Sequence, residues 1–274
     1  MERKIPNNFS QIVAVTKFEL IKYLRGKKIH SIFGIVVAIP LLLILVPEFL
    51  GAEDPETEVA YLTGLVSVIF FLIVIITSFF GSGTLVSEFH DRTAYVLFPN
   101  PISRTSIWAG KFIAAELVSF ATIGIFYTVI SVITFYKYEN LPNEIFISLI
   151  FSFIVATSIM SIAFFASSIF RSPMSAVVVV ILLLIVLLPL VDQLQINLAD
   201  TKPWYTPSFS SGIIRHVLTV PYPIDVNPDE LPRGPFDTER FVPYLDQSIL
   251  VHGVFIFVCS ISSLVIFKAK EVKS

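Results

Sequence analysis

Six long runs of apolar residues, separated by shorter polar stretches, dominate the chain. They are His30–Val46, Tyr61–Phe80, Ile107–Tyr136, Ile145–Phe170, Met174–Val191 and Ile249–Phe267. Each is close to or above the roughly 20 residues that an α-helix needs to cross the hydrocarbon core of a bilayer. The pattern predicts an all-α, polytopic membrane protein with six transmembrane helices. We interpret residues 1–274 as a single transmembrane domain.

A different pattern precedes the first run, within an N-terminal segment of residues 1–29. Between residues 11 and 28, apolar residues recur at helical spacing, and Lys17, Lys22 and Arg25 lie largely between them. This spacing predicts an amphipathic helix that lies in the membrane interface, with its lysines near anionic headgroups, and that ends at Gly26. A soluble helix docked on a partner protein is the alternative.

Composition supports the membrane assignment. Hydrophobic residues make up 55 % of the 274 residues and charged residues 15 %, with a mean hydropathy of +0.81. Disordered, collagen-like and disulfide-scaffold proteins are excluded, and a soluble enzyme could not bury so much apolar surface. The single cysteine, Cys259, excludes an internal disulfide or a cysteine metal site, and we expect it to be an apolar packing residue.

The distribution of lysine and arginine predicts the orientation. Fourteen of the 19 basic residues fall on one side, which comprises the N-terminus, the loop after the second run with the start of the third, the loop between the fourth and fifth runs, and the C-terminus; five fall on the other side. Because cytoplasmic loops are enriched in lysine and arginine, both termini are expected to be cytoplasmic in the plasma membrane.

The longest polar stretch, residues 192–247, lies between the fifth and sixth runs and is predicted to be extracytoplasmic. It contains eight prolines, which oppose a long helix, and eight acidic residues. We interpret it as a mostly irregular lid, with one short helix possible over Pro207–Val220.

Residues 82–106 form the most informative loop, which we call the elbow. A charged stretch leaves the second run, an apolar turn covers Tyr95–Phe98, and Pro99 and Pro101 then break the helix. Ser103 is placed to cap the next helix. The segment therefore predicts a helix–break–helix turn at the cytoplasmic surface, and its exposed apolar residues suggest contact with a partner.

Catalytic and nucleotide-binding motifs are missing from the sequence. The glycines at 81–84 and Gly110-Lys111 lack the spacing and the ending of a phosphate-binding loop. The four histidines are scattered and predict no metal site. We therefore expect no cofactor on this chain, no enzymatic activity and no nucleic-acid partner.

Glu116 is the one acidic residue within a predicted span. An intramembrane carboxylate is costly, so it indicates a functional role by default. Its position five residues after Lys111 leaves two interpretations open: an interfacial or structural residue, or a residue that lines a cavity or couples motions.

The elbow resembles that of type-2 ATP-binding-cassette (ABC) transporter permeases. The resemblance rests on Glu88, Arg92-Thr93, Leu97, Pro101-Ile102-Ser103-Arg104 and Gly110-Lys111, together with the six-span layout. One difference is that Arg92-Thr93 stands where the family usually has Gly-Thr.

The resemblance implies a permease subunit of an exporter, without catalysis of its own, surrounded by membrane lipids. ATP and magnesium would bind a separate cytosolic ABC ATPase subunit, and a second permease copy or a sister permease would complete the pathway. The elbow would dock on the ATPase. The residues expected to couple the two subunits are Glu88, Arg92, Tyr95, Leu97, Phe98, Pro101, Ser103, Arg104, Gly110 and Lys111.

Two other functions remain open at this point, a non-transporting membrane scaffold or assembly factor and an intramembrane enzyme. Co-purification of an ATPase subunit would distinguish the permease from both.

Overall fold

The structure, a computed structural model, describes residues 7–51, 53–90, 102–223 and 241–270. Within these ranges the chain forms helices and short connections. The helices are α1 (Asn8–Arg25), α2 (Lys27–Phe49), α3 (Glu58–Val66), α4 (Ile69–Thr77), α5 (Val86–His90), α6 (Arg104–Tyr138), α7 (Glu144–Ile169), α8 (Pro173–Ile181), α9 (Leu188–Ala199), α10 (Pro207–Ser210), α11 (Ile213–His216) and α12 (Leu245–Ala269).

The prediction of six membrane spans is confirmed. Helices α2, α6, α7 and α12 each span alone, whereas α3–α5 form the second span and α8–α9 the fifth. The second span runs on to His90 and the third begins at Arg104, so both helices extend into the predicted elbow. We call the end that contains Arg25, His90, Arg104 and Ala269 the elbow side, and the opposite end the loop side.

A π-helical turn at Ser78–Ser82 lies in the second span. There Gly81 packs so closely against α7 that an added Cβ would lie 2.7 Å from Met160 Sδ and 2.9 Å from Ala163 Cβ. Glycine is therefore needed at this position for the two spans to touch. A second π-helical stretch, Leu182–Leu187, lies in the fifth span.

The second, third and fourth spans form the centre of the domain, and α2, the fifth span and α12 lie outside them. Helix α7 packs along α12, α6 and the second span, and it contributes buried small residues such as Ala156 and Ala163. The outer spans expose large apolar side chains, for example Leu42, Leu187 and Phe257. Such faces suit contact with lipid or with another membrane subunit.

The short helices α10 and α11 are tucked into the loop side. Ile213 and Ile214 are buried, and the carbonyl of Ile214 accepts a hydrogen bond of 2.7 Å from Ser148 Oγ. Tyr127 Oη lies 2.8 Å from the same hydroxyl. The region predicted as one short helix over Pro207–Val220 thus forms two, while residues 224–240 of the same loop lie outside the described part.

Candidate coupling site at the elbow side

A buried ammonium group between two carboxylates is the central feature of the elbow side. Lys111, two turns into α6, has a side chain that is only 2 % exposed. Its Nζ lies 2.7 Å from Glu88 Oε1 and also contacts Glu19 Oε1. Glu19 Oε2 is 3.7 Å from Nζ of the exposed Lys22. The network therefore balances two cations with two carboxylates and joins α1, α5 and α6.

Burial makes this network strongly interdependent. Charges removed from water must be compensated by partners, so loss of one member leaves an uncompensated charge in a low-dielectric site. Lys111 neutralises carboxylates from two other elements. It therefore acts as the point at which α1 and the end of the second span are held to the third span.

Helix α1 contributes buried polar side chains to its contact with the rest of the chain. Gln11 and Glu19 are both buried, and Gln11 Oε1 accepts a hydrogen bond of 2.9 Å from the backbone N–H of Ser103. This bond fixes the start of α6. Thr16 Oγ1 donates to the carbonyl of Gly110 at 3.1 Å, which adds a second attachment one turn before the Lys111 network.

The apolar residues of α1 do not all face the protein. Phe9, Val13 and Leu24 follow one another along one side of the helix and remain exposed. The predicted amphipathic helix thus forms and ends at Gly26. It packs against α6 of its own chain with one face, while a neighbouring apolar stripe stays available to the membrane interface.

Gly110 allows α1 and α6 to approach each other. An added Cβ would lie 2.7 Å from Cβ of Val15 and 2.9 Å from the carbonyl oxygen of Ile12. The second of these atoms belongs to the backbone and cannot move aside by a side-chain rotation. The glycine before Lys111 therefore sets the distance at which Glu19 can reach the ammonium group.

Tyr23, in the last turns of α1, contacts the second span within its π-helical turn, at Phe80, and just beyond it, at Thr84. Its hydroxyl lies 3.3 Å from the Phe80 carbonyl and 3.3 Å from Thr84 Oγ1, and its ring packs edge-on against Phe80. Burial raises the pKa of the Tyr23 phenol, so the hydroxyl remains neutral and able to donate. This contact is a second link between α1 and the second span.

A separate set of contacts ties the elbow side to the last helix. Arg104 Nη1 donates to the carbonyls of Lys268 at 2.6 Å and Lys270 at 2.9 Å. These carbonyls belong to the end of α12, where backbone acceptors lack helical partners. We call this arrangement the C-terminal clamp.

Lys270 extends the clamp to the fourth and second spans. Its Nζ donates to the carbonyls of Ser168 at 3.3 Å and Phe170 at 3.4 Å, at the end of α7, and lies 4.8 Å from the centre of the Phe89 ring. Burial lowers the pKa of the Lys270 ammonium, and the neighbouring positive charge of Arg171 acts in the same direction.

Hydroxyl groups cap the helices that frame the elbow. Ser103 Oγ accepts from the N–H of Ser106 at 3.0 Å and caps α6. Ser167 Oγ, from α7, accepts from the N–H groups of Leu85 at 2.9 Å and Val86 at 3.1 Å, at the start of α5. These caps satisfy backbone donors that would otherwise be unpaired at the helix starts.

Half of the residues predicted to couple the subunits fall within the described part of the chain. Glu88, Gly110 and Lys111 meet in one network with α1, whereas Ser103 and Arg104 lie at the start of α6 in separate contacts. Arg92, Tyr95, Leu97, Phe98 and Pro101 lie outside the described residues.

Sequence reasoning missed the contributions of Glu19, Gln11 and Lys270. Glu19 is the only acidic residue of α1 and lies among basic residues, so it signalled a special position. Its partner was not predictable, because the amphipathic pattern of α1 does not distinguish a lipid surface from a protein surface. The partners of Gln11 and Lys270 lie 92 and 102 residues away in the chain, and no local pattern identifies them.

Glu116 lies apart from the coupling residues, in the interior of the domain. Its side chain is 7 % exposed, and its neighbour on α7 is Thr157. It does not reach the elbow side, so it belongs to a different part of the protein from the Lys111 network.

Comparison with known proteins identifies the family. A profile described as ABC-2 family transporter protein matches residues 2–222, which contain α1, the first five spans and the Lys111 network. No curated protein matches the chain. With six confirmed spans and a family match over most of its length, the chain belongs to the ABC-2 family of transporter proteins and is a membrane permease component of an ABC transporter.

Proposed function

We propose that this chain is the permease subunit of an ABC exporter, driven by a separate cytosolic ATPase that binds ATP and magnesium. Both termini and the elbow face the cytoplasm, and the chain lies in the plasma membrane. A second permease copy or a sister permease completes the pathway, and substrate moves outward between the two. The chain carries no catalytic residues of its own in this proposal.

The buried Lys111 network is the observation that best supports the proposal. A subunit without a nucleotide site must receive its energy from a partner, which requires a surface loop that is rigidly connected to the spans. Glu88 lies in the first part of the elbow and Lys111 follows the elbow, and their side chains are paired at 2.7 Å. A displacement of the elbow would therefore be transmitted to both the second and the third spans.

The C-terminal clamp supports transmission to the fourth and sixth spans. Arg104, near the end of the elbow, reaches the end of α12, and Lys270 reaches the end of α7. The described ends of the elbow thus lie beside the ends of the second, third, fourth and sixth spans. In this arrangement, a movement of the elbow would reach the ends of all four of these spans.

The orientation can be tested with single cysteines on a Cys259→Ser background. Because the charge asymmetry places the loop side outside, a cysteine at Glu56 or Asn227 is expected to react with a membrane-impermeant thiol reagent in intact cells. A cysteine at Asn100, in the elbow, is expected to react only after the cells are permeabilised. The reverse pattern of labelling would contradict the proposed topology.

The docking role of the elbow can be tested with the double change Leu97→Ser and Phe98→Ser. Burial of one large apolar side chain contributes roughly 1.5–3 kcal/mol, so loss of two is expected to weaken ATPase binding about 100-fold or more. The permease should insert and purify normally, but the cytosolic ATPase subunit should no longer co-purify with it. Its ATP hydrolysis should no longer be stimulated by the permease.

A matched control for that experiment keeps the two positions apolar. Leu97→Met with Phe98→Leu should retain the ATPase, because the buried area changes little. If the serine variant is well folded and still retains its full complement of ATPase, the elbow does not dock through these residues. If it aggregates while the control does not, the two side chains pack inside the permease instead.

A further inference from the structure

Glu116 lies at the middle of the domain, level with the centre of α7. It is 12 residues after Arg104, which is about 18 Å along α6 at the helical rise of about 1.5 Å per residue. Its neighbour Thr157 is 12 residues before the end of α7 at Ile169. The ring centres of Phe120 and Phe153, one turn further on, are 4.6 Å apart and confirm this antiparallel alignment of α6 and α7.

Both carboxyl oxygens of Glu116 are enclosed, and neither makes a hydrogen bond of ordinary geometry to the described residues, although the side chain of Thr157 lies beside the carboxyl group. The residue as a whole is 93 % buried, since 7 % of its surface is exposed. A carboxylate at this depth would lack both water and a counter-ion. Ionisation there is strongly unfavourable, because the charge has nothing to compensate it.

The elements packed against α6 offer few charged groups at this level. The sequence contains no charged residue between Glu144 and Arg171 on the fourth span, or between Glu58 and Glu88 on the second. The first span has none between His30 and Glu48. The nearest basic group on α6 itself, Lys111, is held by Glu19 and Glu88 on the elbow side.

The sixth span contributes two titratable groups near this level, His252 and Cys259, and Cys259 lies about one turn toward the elbow side from Thr157. Contacts of Ser161 with Ser260 and of the Phe164 carbonyl with Ser263 set the register of α7 and α12. In that register His252 is level with Phe153, about one turn toward the loop side from Thr157. Its two ring nitrogens are also buried and without partners among the described residues, which favours the neutral imidazole.

Thr157 indicates which form of Glu116 fits the site. Its hydroxyl proton is used in a hydrogen bond of 2.9 Å to the carbonyl of Phe153. The hydroxyl oxygen can therefore accept a further hydrogen bond but has no second proton to donate. A protonated carboxyl group can donate to it, whereas a carboxylate cannot.

We propose that Glu116 is a proton-binding site at the centre of the membrane domain, and that its carboxyl group is protonated at neutral pH and donates to Thr157. The bound proton joins α6 to α7. Any rearrangement that brings water between these helices would allow the proton to leave. The site is distinct from the Lys111 network, and its existence does not depend on the identity of the substrate or the ATPase.

A hydrophobic carbodiimide tests the protonation state directly. Such a reagent reacts with a protonated carboxyl group: the acid proton moves to one carbodiimide nitrogen, and the carboxyl oxygen bonds to the central carbon. The product rearranges to an N-acylurea, so the peptide gains the whole mass of the reagent. With dicyclohexylcarbodiimide and the full chain in lipid nanodiscs at pH 7, mass spectrometry is expected to find the modification at Glu116.

Glu56 is the matched control for labelling, because its carboxyl group is exposed in the loop between the first two spans. Because it lies in water, where the hydrophobic reagent does not accumulate, Glu56 is expected to remain unmodified at pH 7. If Glu116 is modified at pH 4 but not at pH 7, the reagent can reach the site and the carboxyl group is ionised at pH 7. That result would overturn the proposal. Modification at both pH values would support it.

An infrared difference spectrum covers the case in which the reagent does not reach the site. The spectrum of wild type minus Glu116→Gln at pH 7 is expected to contain the carbonyl band of a protonated carboxylic acid. Carboxylate bands in its place would overturn the proposal.

The melting temperature gives an independent test, because glutamine resembles the protonated acid but cannot lose a proton. Between pH 7 and pH 10, the melting temperature of Glu116→Gln should therefore fall less than that of the wild type, whose folded state is stabilised by the bound proton and loses that stabilisation as the pH rises. Equal losses in both proteins would contradict a proton held by Glu116.

Discussion

Replacement of Lys111 by methionine is expected to destabilise the permease by about 3–5 kcal/mol, which is the usual cost of removing one partner from a buried ion pair. Methionine fills a similar volume, so the loss comes from the charges and not from a cavity. Glu19 and Glu88 would then face each other without the ammonium group that neutralises both. Denaturant titration in lipid–detergent micelles would measure the change, together with loss of ATPase stimulation in the complex.

Lys137→Met is the matched control for this experiment. Lys137 lies on the same helix and pairs with Asp54 at 2.5 Å, but the two side chains are 26 % and 49 % exposed. Exposed ion pairs contribute about 0–1 kcal/mol, so this variant should unfold nearly as wild type does. A Lys111→Met protein as stable as the Lys137→Met protein would show that the buried network does not hold the three elements together.

Gly110→Ala is expected to separate α1 from α6 and to uncouple the elbow from the spans. The new methyl group would overlap the Ile12 carbonyl, a backbone atom, so the whole helix α1 must shift. That shift would lengthen the Thr16 hydrogen bond to the Gly110 carbonyl and draw Glu19 away from Lys111. We expect a cost of about 1–3 kcal/mol, the range for overpacked sites, and reduced ATPase stimulation.

The same helix supplies a control, since Gly124 has open space where a Cβ would be added. Alanine is a better helix former than glycine, so Gly124→Ala should leave stability unchanged or raise it by about 0.5–1 kcal/mol. Cross-linking between cysteines placed on α1 and α6 would report the separation. If Gly110→Ala cross-links and unfolds like Gly124→Ala, the close approach at Gly110 is not required.

The sequence was sufficient to predict the spans because length and hydropathy are local properties. An unbroken apolar run such as Tyr61–Phe80 has few alternatives to a membrane helix, and the six predicted spans are confirmed. The exact ends were less predictable. Polar residues such as Glu88 continue a helix beyond the hydrocarbon, so the second span extends ten residues past Phe80.

The candidate site was less accessible to the sequence because its contacts join distant segments. The motif around Lys111 was recognisable, but the pairing of Lys111 with Glu19 bridges 92 residues and depends on how closely α1 approaches α6. That approach depends on the contact between Gly110 and Val15, which is a matter of packing and has no local signature.

The burial of Glu116 was equally hidden. The separation of only five residues from Lys111 leaves an interfacial position open, whereas alignment with Thr157 places the carboxyl group level with the middle of α7. Only the register between two helices supplies that information, because the sequence of α6 alone does not say how far it projects past its neighbours.

The C-terminal clamp has a consequence for the biosynthesis of the protein. Arg104 is separated from its acceptor at Lys268 by 164 residues, so its guanidinium group has no carbonyl to bind there while the later spans are being inserted. The start of the third span can make its final contacts with the end of α12 only after Lys270 has left the ribosome. In a nascent permease, the contact between Arg104 and Lys268 would therefore form late, when all six helices are in the bilayer. Translation arrested before Lys268 should yield an inserted chain in which this contact is missing and the start of α6 is held less firmly. We expect such a chain to bind a partner through the elbow less well than the complete protein does.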